Sequence, residues 1–66
     1  MDEKYIVPHL KKLCDVMYRD GETFAKYSER RKKYIFGCIR PFGEVTKNIV
    51  DKSIAIFLIV GNFTKE

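Results

Sequence analysis

Seven consecutive apolar residues, Ile54 to Val60, decide which fold class this chain can adopt. A run this short, rich in β-branched and aromatic side chains between polar flanks, serves equally as a buried strand or as part of a buried helix, because periodicity does not separate the two. It is far shorter than the roughly 20 residues a helix needs to cross a bilayer. As part of a helix from Glu44 to Val60, it aligns Val45, Ile49, Val50, Ile54, Phe57 and Leu58 on one side, with Gly61 in the stop position.

Two earlier segments carry the same helical spacing. Pro8 suits a first helical position, and Leu10, Leu13, Cys14 and Met17 follow at i, i+3, i+4 and i+7, with Gly21 as the left-handed terminator. From Glu22 to Phe36, Phe24, Tyr27, Arg31, Tyr34 and Ile35 share one side at 100° per residue while Lys26, Arg30 and Lys33 share the other, and Gly37 ends the segment. The stretch Arg40-Pro41-Phe42-Gly43 predicts a turn, since the residue before proline is driven out of helical geometry. Glycine after each segment makes an all-α, small three-helix domain the expected fold. The alternative is α+β, two helices with a small sheet from residues 34–39 and 54–60, to which Tyr5 to Val7 would add a third strand.

A chain of 66 residues with 45% apolar content sustains one modest core, so residues 1–66 are expected to form a single small domain. Domains of this size bury only about 60% of the surface of the unfolded chain and often gain stability by self-association, which brings a homodimer into consideration. Asp2, Glu3 and Lys4 are followed by only three apolar residues before Pro8, too few for a signal-peptide core. The expectation is a cytoplasmic protein, not a membrane protein, with Cys14 and Cys38 as free thiols. Cys14 reads as a core residue; Cys38, beside the turn, is expected to be the more exposed and oxidisable.

The net charge of +4 is localised. Residues 1–21 hold four cations and four acids and residues 44–66 three of each, whereas residues 22–43 carry Lys26, Arg30, Arg31, Lys32, Lys33 and Arg40 against Glu22 and Glu29. An anionic partner would meet that middle third. Glu22 and Glu29 can pair at i, i+4 with Lys26 and Lys33 on a helix, so the same stripe is also compatible with a plain solvated face.

Catalysis and metal binding find no support in the residues. His9 and Cys14 are five apart, about 140° around a helix; no second histidine exists, and no Cys-x-x-Cys spacing is present. There is no phosphate-binding glycine loop, no nucleophilic triad and no convincing carboxylate pair, so neither an enzyme nor a cofactor is expected. Arg31 is the odd residue: on the helical wheel it falls between Tyr27 and Ile35 on the apolar side, where an unpaired guanidinium is costly. Arginine with tyrosines is the composition of binding hot spots, and nine aromatics exceed what one small core needs. The expected function is therefore a non-catalytic small binding protein that docks on and modulates a larger protein partner through Tyr27, Arg31, Tyr34 and Phe42. The alternative is a small basic nucleic-acid-binding regulator using Lys26, Arg30, Lys32, Lys33 and Arg40, whose phosphate contacts would be salt-sensitive and blind to base sequence.

Overall fold

The computed structural model describes residues 3–63, with Phe63 described by its backbone alone. Five elements follow one another along the chain: α1 (Glu3–Met17), β1 (Glu22–Ser28), β2 (Lys33–Ile39), β3 (Val45–Val50) and α2 (Lys52–Phe63). The strands form an antiparallel meander in the order β1-β2-β3. The chain is thus α+β, with two helices and a three-stranded sheet, and the expected all-α three-helix domain is overturned. The α+β alternative fits in class, and Tyr34–Ile39 is a strand. Its partners, however, are β1 and β3, while residues 54–60 and 5–7 are helical.

Physical reasons for the difference lie in the middle of the chain. Residues 22–36 satisfy a helical wheel only because β1 and β2 meet at the polar segment Glu29–Lys32, which is a four-residue hairpin turn closed by the Ser28–Lys33 pair. β2 is the central strand and is buried from Tyr34 to Cys38, so it reads as an unbroken apolar run with no alternation to betray it. The expected helix 44–60 is divided by Asp51, whose carboxylate accepts the Ile54 amide at 2.9 Å and the Ser53 hydroxyl at 2.8 Å. That is a helix N-cap; it starts α2 and ends β3. Pro8 lies inside α1, not at its start, and removes the amide that would have bonded to the Lys4 carbonyl. One residue on, His9 Nδ1 donates to the Tyr5 carbonyl at 2.6 Å.

Both helices cover the same face of the sheet. Ile6, Leu10 and Cys14 of α1 and Ala55 and Ile59 of α2 close on Tyr34 and Phe36 of β2, with Ala25 and Val50 packed alongside. Antiparallel register places side chains of paired residues on a common face. The helix-covered face therefore carries Cys38, Phe36 and Tyr34 with their partners Thr23, Ala25 and Tyr27 on β1 and Thr46, Asn48 and Val50 on β3. Every residue between these faces the other way, onto a surface that no described element covers. No described helix is long and apolar enough to cross a membrane.

Candidate functional site

The uncovered face of the sheet is built from three rows of registered residues. One row is Glu22, Ile39 and Val45; the next is Phe24, Gly37 and Lys47; the third is Lys26, Ile35 and Ile49, with Ser28 and Lys33 beyond it. A solvated sheet face ordinarily reads as polar. This one is apolar at its centre, and Ile39, Val45 and Ile49 are 45%, 54% and 37% exposed.

Gly37 shapes the middle of that face. A Cβ there would run into the carbonyl of Thr46, so the strand pairing requires glycine, and the central position of the sheet has no side chain. The result is a hollow of about 360 Å³ lined by Phe24, Lys26, Ile35, Ile39, Val45 and Lys47. Its lining is mostly apolar, and Lys26 and Lys47 bring the two cationic side chains to it. Among these residues only Lys26 was singled out by sequence reasoning. For Val45 and Lys47 the signal was their period-two spacing along β3, and for Ile35 and Ile39 their period-two spacing with Gly37 along β2, both of which a helical assignment conceals.

The structure disperses the docking set Tyr27, Arg31, Tyr34 and Phe42. Tyr34 is a core residue, 1% exposed; its burial raises its hydroxyl pKa, and its ring centroid lies 4.8 Å from that of Tyr27. Arg31 is not on an apolar face at all: it stands exposed in the β1–β2 turn, where its amide donates to Ser28 Oγ at 3.4 Å. Phe42 is 99% exposed in the β2–β3 turn. The two turns lie at opposite ends of β2, about 20 Å apart at the usual strand rise.

The basic set is gathered more closely. Arg30 and Lys32 share the β1–β2 turn with Arg31; Lys33 is the first residue after it, and Lys26 lies further down the uncovered face. Arg40 belongs to the other end of the sheet, where its amide donates to the Glu44 carbonyl at 2.8 Å.

Cys38 is fully buried, contrary to the exposure expected of it, and its thiol donates to the Asp20 carbonyl at 3.4 Å. Cys14 is equally buried, with its thiol directed to the Phe24 carbonyl at 3.8 Å, and desolvation pushes its pKa up. Among the described residues no group of three or more His, Cys, Asp or Glu side chains is placed to hold a metal ion. Comparison with known proteins brings no match, whether to a family model, a curated protein or a solved structure.

Proposed function

We propose that this chain is a non-catalytic binding module that docks on a larger protein through the uncovered face of its sheet. The observation that carries this is the apolar lining of that face: Phe24, Ile35, Ile39 and Val45 line the Gly37 hollow, Ile35 largely buried and Ile39 and Val45 exposed, on the side of the sheet away from the helices, with Ile49 one row further along. Contiguous apolar surface rimmed by polar groups is characteristic of interaction sites, and the centres of protein interfaces are depleted in charge. Of the set expected from sequence, Phe42 and Arg31 stand exposed in the two turns that bound this face, while Tyr27, also exposed, belongs to the helix-covered side.

A photo-reactive phenylalanine analogue introduced at Val45, at Phe42 or at Phe57 tests the location in living cells. Adducts from position 45 that vanish when Ile39 becomes Asp support the sheet face. Adducts from position 57 alone, on the helical side, would exclude it.

One observation favours a second reading, binding of nucleic acid: the hairpin turn collects Arg30, Arg31, Lys32 and Lys33 at one tip. Such binding would fall steeply along a log–log salt line and lose slope with each turn lysine or arginine removed, whereas docking through the apolar face would depend on salt only weakly and would ignore those removals.

A further inference from the structure

From the charge arrangement around the Gly37 hollow, and resting on the docking reading above, we infer that the partner presents an acidic segment with one large apolar side chain. That side chain enters the hollow while carboxylates on either side of it meet Lys26 and Lys47.

The uncovered face holds three cations, Lys26, Lys33 and Lys47, against the single carboxylate of Glu22. Lys26 and Lys47 stand on the two outer strands with the hollow between them, two strand spacings apart across the sheet and one registered row apart along it, about 12 Å on the diagonal. A partner side chain in the hollow therefore has an ammonium group on each side. In an extended segment the side chains that share a face with the one in the hollow are those two residues before and two after it, about 13 Å apart, and carboxylates at those positions span a comparable distance. The hollow is the size of a small ligand pocket and its lining is mostly apolar, which suits an aromatic ring or a leucine.

The same charges count against two other occupants. A second copy of the chain stacked on this face would set lysines against lysines, and like charges across an interface are strongly disfavoured. Single-stranded nucleic acid would find the cations but little to stack on. Platforms for successive bases use successive aromatics, and Phe24 is the one aromatic on this face.

Panning a random peptide library on the immobilised full chain tests the assignment, with the selected peptides then titrated against wild type, the Lys26→Glu/Lys47→Glu variant and Ile39→Asp. Both lysines are exposed, so the double variant should keep the wild-type circular dichroism and thermal midpoint. The expected peptides carry Phe, Trp, Tyr or Leu between Asp or Glu residues and shift the amides of Phe24, Ile35, Gly37 and Ile39. They lose about tenfold in affinity on charge reversal and recover when their own acids are changed to lysine. Peptides that map to this face but lack acids and ignore the charge reversal overturn the acidic partner while leaving the docking face intact. Peptides that map to α2 or to the turns, or a library without binders, overturn both. So does an oligothymidylate probe that binds this face and is released by the double variant.

Discussion

At Gly21 the chain leaves α1 and enters β1 with φ at +119°, a conformation L-residues rarely adopt. A Cβ added there would lie 2.6 Å from both the Cys38 thiol and the Ile39 carbonyl. Gly21→Ala should therefore cost about 2 kcal/mol or more in urea denaturation, combining backbone strain with a clash against β2. Lys32 presents the opposite case: its φ of 53° is left-handed although it is not glycine. Lys32→Gly should stabilise the fold by up to about 1 kcal/mol while weakening any phosphate binding at the turn, so stability and binding would move in opposite directions. Two carboxylates give the fold its acid sensitivity. Asp15 is held below the usual range, chiefly by hydrogen bonding to Lys11 at 2.8 Å and also to Thr23, and Asp51 by the Ile54 amide and the Ser53 hydroxyl. A depressed native pKa means that the unfolded chain takes up protons first. The stabilisation is thus fully present above the unfolded carboxylate value of about 3.9 and is lost as pH falls through the native values. The thermal midpoint should be level near neutrality and drop below about pH 4; Asp15→Asn with Asp51→Asn should flatten that drop.

Among the elements, α2 shows most clearly how burial, not composition, sets the energetics. Its residues are apolar almost all the way round, yet Ala55 and Ile59 are buried while Phe57 is 76% exposed. Ile59→Ala should destabilise by about 3 kcal/mol, and Phe57→Gln should fall within about 0.5 kcal/mol of wild type, both read from chemical denaturation. The helix α1 was legible in sequence because its Leu10, Leu13 and Cys14 spacing serves a one-sided burial, although Met17, on the same wheel face, emerges 55% exposed as the helix runs out. β1 was not legible, and β2 was legible only in the α+β alternative, which has residues 34–39 as a strand. Burial of β2 from Tyr34 to Cys38 erased the alternation that announces a strand, and the charged turn between the strands extended a false helical stripe from Lys26 to Lys33. Between Glu44 and Val60 the helical spacing runs on unbroken across Asp51, so the boundary depended on recognising a cap, and Asp51 with Ser53 and Ile54 was its only trace.

For the molecule as a whole, two layers leave one face of a three-stranded sheet without cover, and that arrangement made the candidate site hard to read in advance. Residues 24, 35, 39, 45 and 49 converge only once three strands are registered, and sequence spacing alone cannot supply register. The basic cluster Arg30–Lys33, being local, was visible in the sequence as charge, although on a helical stripe and not in a turn. Because both thiols lie in the layer between helices and sheet, neither should react with a thiol reagent until the fold opens, so the rate of modification of Cys14 and Cys38 under native conditions would report the opening of that layer. Strands β1 and β3 each have one side unpaired within the described sheet, and an unpaired strand is a template on which further strands can grow. Lys26 sits midway along one and Lys47 midway along the other. Charge at these edge positions acts as a gatekeeper against edge-to-edge polymerisation. Any modification that neutralises them, acetylation included, should raise the tendency of the edges to pair with other copies of the chain.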